Sequence, residues 1–188
     1  MNLILAITGA SGSVYGKRLL EFCKEKEMKT FLIVSSAAKK IISHELDMDI
    51  DKLDKMAEER YSNDDIEAPI SSGSTKTDGM VIIPSSMKTL GSIANGIADN
   101  LITRSADVTL KENRKLVIVP RESPFRTAHI KNMEKLSREG AVILPASPGF
   151  YHHPREISDL VDFVVGKVLD QFKIDHGLYE TWGGLKEK

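Results

Sequence analysis

The chain has 188 residues and 20.8 kDa, 41% hydrophobic and 28% charged, with a mean hydropathy of -0.20, which is enough to bury one core and excludes a disordered or fibrous chain. Lys and Arg (26) nearly balance Asp and Glu (27), so no global basic field exists to hold nucleic acid or an anionic membrane, and any anion must be held by local groups. The single cysteine, Cys23, excludes an intramolecular disulfide and a CxxC metal site, and with no basic n-region and no apolar run near ~18 residues the expected location is the cytoplasm.

In chain order, strand-length apolar runs fall at 3–8 (LILAIT), 30–35 (TFLIVS), 79–85 (GMVIIPS), 115–120 (KLVIVP) and 141–146 (AVILPA). They are rich in β-branched residues and do not alternate, as expected for strands buried on both faces of a parallel sheet. Helical patterns lie between them at 13–26, 36–46, 50–60, 87–112 with a break, and 126–138. A last helix at 155–173 places Ile157, Leu160, Val161, Val164, Val168, Leu169 and Phe172 on one stripe by the i, i+3, i+4 rule. Cys23 follows Leu19 by four residues and reads as a core thiol. Alternating strands and helices predict a doubly wound α/β, Rossmann-like sheet in one domain. Residues 62–78 are polar and rich in turn formers, and read as a long connection. After residue 176 the regular pattern ends in a tail that carries the only tryptophan, Trp182.

In such a sheet, ligands bind outside the carboxyl ends of the strands, so the chemistry is sought in the loops that follow them. After the first strand, Thr8-Gly9-Ala10-Ser11-Gly12 lets backbone N–H groups approach an anion. It lacks the nucleoside-triphosphate loop pattern, and Gly9, Gly12 and Gly16 miss the Gly-x-Gly-x-x-Gly spacing of dinucleotide binders. Ser35 and Ser36 stand where a dinucleotide site places an acid on the ribose, so a mononucleotide fits better. Ser86, Met87, Lys88 and Thr89 form a second hydroxyl-rich turn, which a capped helix start would equally explain. Arg104 and Lys111, seven residues apart, share a face if the segment is helical. Arg121 and Glu122 directly follow a buried strand, a placement that a solvated charge run does not account for. The loop PASPGFYHHPRE (145–156) presents Tyr151, His152 and His153; adjacent histidines diverge on most backbones, so no metal site is expected.

Taken jointly, TGASG, SSGS, DGMVIIPSSMKTLGSIANGIADNLITRSADVTLKE, KLVIVPRESP, H-x-x-NM-x-x-LS (129–137) and PGFYHHP resemble, in order and spacing, the flavin prenyltransferases of the UbiX type, closest to the branch formerly labelled a phenolic-acid decarboxylase subunit. The resemblance covers the chain up to Trp182. It implies a flavoprotein domain at 1–175 and a tail at 176–188. It also implies an enzyme that joins the dimethylallyl group of dimethylallyl monophosphate to reduced FMN at N5 and C6, without a metal. The product is prenylated FMN, the cofactor of a partner UbiD-type decarboxylase, and the enzyme is a homo-oligomer, a dodecamer in the family. By the same resemblance Gly9, Ala10, Ser11, Ser35, Ser86, Met87, Lys88, Thr89 and Arg121 match flavin contacts, with Arg104 near both substrates. Tyr151 and Lys167 match contacts to the dimethylallyl phosphate, and Ser11, Glu45, Lys111, Glu122 and Trp182 belong to the reacting centre.

Two positions depart from the family pattern. Lys167 stands where arginine is frequent, keeping the charge and losing the two-pronged geometry, and Ile66 stands where some members carry a tryptophan. The alternatives are an FMN-dependent cysteine decarboxylase, a non-catalytic flavin-binding subunit, and a direct aromatic-acid decarboxylase.

Overall fold

A computed structural model describes residues 1–184. In chain order it contains β1 (Asn2–Ile7), α1 (Ser13–Glu25), β2 (Lys29–Val34), α2 (Ser36–Leu46), α3 (Ile50–Asp54), β3 (Glu59–Ser62) and a 3₁₀ turn at Pro69–Ser71. There follow β4 (Gly79–Ser85), α4 (Met87–Ala94), α5 (Leu101–Lys111), β5 (Lys115–Pro120), α6 (Thr127–Arg138), β6 (Val142–Ile143) and α7 (Ile157–Gln171). The strands form one six-stranded sheet in the order β3-β2-β1-β4-β5-β6, and every pairing is parallel. The expected doubly wound α/β fold is present.

The sheet builds two cores from alternate residues of the same strands, because successive side chains point to opposite faces. Leu3, Leu5, Ile7, Leu32, Val34, Val81, Val117 and Val119 pack with residues of α1, α2, α3 and α7. Ile4, Ala6, Ile33, Met80, Ile82, Leu116 and Ile118 pack with α4, α5 and α6. This is why the strands read as unbroken apolar runs: both faces are covered. Each such side chain contributes about 1.5–3 kcal/mol relative to exposure, and truncation of Leu5, which is fully buried, costs about 2–5 kcal/mol. Cys23 lies in the first core, and burial pushes its thiol up to about 12, which makes it inert as a nucleophile.

Three expectations need correction. The helix expected over 50–60 ends at Asp54, and Glu59–Ser62 is an additional edge strand on β2. Its one inward aromatic, Tyr61, meets Phe31 at 6.4 Å; an edge strand needs no continuous apolar run. The strand expected at 141–146 is regular only over Val142–Ile143, although the N–H groups of Leu144 and Ala146 still donate to the carbonyls of Ile118 (2.9 Å) and Pro120 (3.1 Å) on β5 before Pro148 and Gly149 end the run. Ile157, assigned to the buried stripe of α7, is 77% exposed, while Val161, Val164, Val168 and Leu169 are buried as expected.

The chain winds outward from β1 through β2 to β3, then crosses back to place β4 on the other side of β1. The crevice outside the carboxyl ends of β1 and β4 is therefore the topological switch point. Thr8 fixes its floor: buried at the end of β1, it donates from Oγ1 to the carbonyl of Pro84 (3.0 Å) and accepts from the N–H of Ser86 (2.7 Å).

Candidate active site

Three helix starts converge on this crevice. Ser35 caps α2, its Oγ accepting from the N–H of Ala38 at 3.1 Å. Ser86 caps α4, accepting from the N–H of Thr89 at 3.3 Å and donating to Thr89 Oγ1 at 3.1 Å. Asn100 caps α5 in a reciprocal box with Thr103. Between them lies a cavity of about 380 Å³, lined by Gly9, Ser35, Ser36, Ala37, Asn63, Ser86, Lys88, Thr89, Asn100 and Ile102. Each helix start carries roughly half a positive charge, and Lys88 adds a full one. Gly9 is required here by close approach: a Cβ would stand 2.7 Å from the Cβ of Ala37, pushing the start of α2 away from β1. Three helix starts and a lysine suit the cavity to an anion, and its volume lies within the range of small-molecule sites.

The far end of the TGASG loop holds an anion of the chain itself. The N-terminus of α1 is already occupied by a carboxylate of the same chain: Glu45, at the end of α2, accepts from the N–H of Gly12 (3.0 Å), the N–H of Ser13 (2.9 Å) and Ser13 Oγ (2.6 Å). Burial raises the Glu45 pKa, yet the hydrogen bonds from the side chains of Ser11 and Ser13 and from the two backbone N–H groups outweigh it and hold the carboxyl below its ordinary value. Arg121, leaving β5, donates from Nε to the carbonyl of Ser11 at 3.0 Å. Gly9, Ala10, Ser11, Glu45 and Arg121 are thus one connected rim beside the cavity. Glu122 follows, exposed and bonded locally to the N–H of Ser123 at 3.0 Å.

Tyr151, Lys167 and Trp182 belong to a second cluster built by the loop before α7, α7 itself and the tail. Tyr151 meets Phe163 edge-on at 5.7 Å and Trp182 at 5.5 Å, and Trp182 is 56% exposed. His152 stacks on Phe163 at 5.1 Å while His153 turns outward with a φ of 55°, so the two rings diverge as expected. Lys167 lies over the ring of Tyr179 at 5.0 Å and pairs with Asp170 at 3.4 Å.

Arg104 and Lys111 share α5 and are separated by its length. Arg104 is near the helix start, held by the carbonyl of Ser71 (3.2 Å) and by Asp107 (3.2 Å). Lys111 is exposed in the last turn, beside a surface depression it shares with Gly96, Lys135 and Glu139. Because α5 runs antiparallel to the strands, Lys111 lies at the amino-end edge of the sheet, opposite Arg121 and Glu122. One chain therefore does not bring Lys111 to Glu45.

Sequence reasoning missed Thr8 as the stitch and Asn63 and Asn100 as cavity-lining residues. Asn63 directly follows the unrecognised β3 and binds the N–H groups of Leu101 (2.8 Å) and Ile102 (3.2 Å). An Asn directly before LITRSADV was a legible helix start.

Fold and crevice together define a mononucleotide-binding α/β protein. The sequence profile of the family described as Flavoprotein matches residues 1–169. Flavin prenyltransferase UbiX of Methanocaldococcus jannaschii is 51% identical over 97% of this chain and 99% of its own length. The solved structure of AnUbiX (PadA1) in complex with FMN and dimethylallyl pyrophosphate superimposes with a TM-score of 0.96 at 41% identity, covering 98% of each chain. A dodecameric FMN-dependent UbiX-like decarboxylase from Escherichia coli O157:H7 gives 0.95 at 46% identity, over 98% of this chain and 100% of the other. The chain belongs to the UbiX family of flavin prenyltransferases within the flavoproteins.

Proposed function

We propose that this enzyme transfers the dimethylallyl group of dimethylallyl monophosphate to reduced FMN. Flavin N5, losing its proton, bonds to the allylic carbon as the C–O bond breaks and phosphate leaves. The alkene, taking up a proton at its inner carbon, then bonds to C6, which loses its own hydrogen as a proton. The observation that carries the reading is the convergence of the α2, α4 and α5 starts with Lys88 on one cavity of about 380 Å³, which suits the FMN phosphate. The start of α1 is closed to that phosphate by Glu45. The flavin supplies the nucleophilic ring positions.

The protein's own groups do the rest. Arg121, aimed by its bond to Ser11, and Lys111 and Lys167 stabilise negative charge on the departing phosphate. Removing one such group from a water-excluded site costs about 10²-fold or more in rate. The faces of Tyr151 and Trp182 stabilise the allyl cation through their quadrupoles. Deprotonation at C6 needs a base, and Glu122 or the released phosphate has the chemistry for it. The residue roles follow the family resemblance. The product would serve a UbiD-type decarboxylase in the cytoplasm, and the enzyme would work as a homo-oligomer of the dodecameric kind seen in its relative.

The test is anaerobic incubation of the purified protein with reduced FMN and dimethylallyl monophosphate, followed by mass analysis of the flavin. A gain of one C5 unit is expected; an unchanged flavin mass would refute the proposal.

A further inference from the structure

The end of α7 and the segment after it form a network that the roles above leave unexplained. Asp170 is its hub: Oδ2 accepts from Tyr179 Oη (2.6 Å) and from Lys167 Nζ (3.4 Å), and Oδ1 faces His176 Nε2 at 3.1 Å. His176 Nδ1 accepts the N–H of Leu178 at 3.0 Å. The ring hydrogen is therefore on Nε2 and is donated to Asp170. Burial pushes the Asp170 pKa up, but the bonds from Tyr179, His176 and Lys167 outweigh it and hold the carboxyl below its usual value. The bond to Tyr179 leads the causes that hold the Lys167 ammonium above the usual lysine range, ahead of opposing burial.

An independent steric feature marks the same seat. A Cβ on Gly166 would stand 2.5 Å from Tyr179 Cε1 and 2.8 Å from His176 Cε1, so the tail lies on α7 only because residue 166 has no side chain. Three residues beyond Tyr179, Trp182 meets Tyr151.

We infer that Asp170 is a positioning residue for the prenyl-phosphate end of the site, one carboxylate both aiming the Lys167 ammonium and latching the tail onto α7 so that Trp182 is set against Tyr151. The first half rests on the function proposed above, since it takes Lys167 as a phosphate ligand. The second half is a statement about the tail alone. A lysine is a point charge on a flexible stem without the planar fork of arginine, so its aim must come from neighbours: Asp170 directly, and Tyr179, which Asp170 holds in place at 2.6 Å.

Trp182 is the only tryptophan, so its emission reports the latch directly. In the ligand-free protein, Asp170→Asn and Gly166→Ala should each red-shift the emission and raise acrylamide quenching about 1.5-fold, as the ring leaves its aromatic neighbour. The melting temperature should stay within a few degrees of wild type. In turnover, Asp170→Asn should raise KM for dimethylallyl monophosphate about five-fold, the size set by one exposed charge pair. Gly166→Ala, which displaces Tyr179 but leaves Asp170 beside Lys167, should lower kcat and raise KM less than Asp170→Asn does. Wild-type quenching in both variants would overturn the latch, and an unchanged KM in Asp170→Asn would overturn the aiming of Lys167. Failure of the wild-type enzyme to prenylate flavin would instead refute the function, and the quenching comparison decides the latch without turnover.

Discussion

Glu45 is a residue whose role changes between sequence and structure. As a carboxylate at the start of α1 it takes the place where many nucleotide-binding folds put the ligand's phosphate, and it interacts favourably with the helix dipole. Its folded pKa lies below its unfolded value, so its stabilising contribution is present above the ordinary carboxyl range and is lost as pH falls through the folded pKa. The side chain is exposed, so solvent screening limits that contribution to about 0.5–1 kcal/mol. Glu45→Gln should therefore lower Tm at pH 7 by about 1–4 °C, and the gap to wild type should close as pH is brought below about 4, followed by circular dichroism. The same variant should lose about 100-fold in flavin prenylation if the carboxylate belongs to the reacting centre. A Tm gap that widens in acid would show that the carboxylate is not the ionised cap described here.

At the scale of elements, the crevice depends on a short stitch between β1 and the start of α4. Thr8→Val keeps the shape and removes both side-chain hydrogen bonds, leaving the N–H of Ser86 without its partner while the carbonyl of Pro84 keeps the bond from the backbone N–H of residue 8 (3.2 Å). The expected cost is about 1–3 kcal/mol. FMN affinity should fall more than the affinity of a site remote from α4 would, because Ser86, Lys88 and Thr89 move with the helix; calorimetric titration with FMN measures it. This stitch was invisible in the sequence, where Thr8 is one small residue in a loop of small residues. What was visible had a two-sided physical cause: β1, β4 and β5 are covered on both faces and read as unbroken apolar runs. Glu59–Ser62 is polar and lies on the sheet edge, where one packed ring suffices, so its period gave no signal. With β3 unseen, Asn63 at its end could not be placed against the start of α5, whose N–H groups at Leu101 and Ile102 it binds.

At the scale of the whole molecule, the assigned reacting groups do not meet within one chain. Arg121 and Glu122 leave the carboxyl end of β5, whereas Lys111 ends α5 at the opposite edge of the sheet, an element of 11 residues spanning roughly 16 Å. If all three act on one substrate, they come from different copies. Complementation tests this. Lys111→Ala and Glu122→Gln each alter a side chain exposed in the single chain, so both variants should fold as wild type, and each alone, as an oligomer of native size, should lose about 10²-fold in activity. Co-expressed at equal levels and purified as mixed oligomers, they should recover about one quarter of wild-type activity, since a site drawing one residue from each of two copies has both intact in roughly one case in four. Mixed oligomers of native size that stay at the level of the single variants would mean that Lys111 and Glu122 act from the same copy, or not in the same site, and the interface reading would fall.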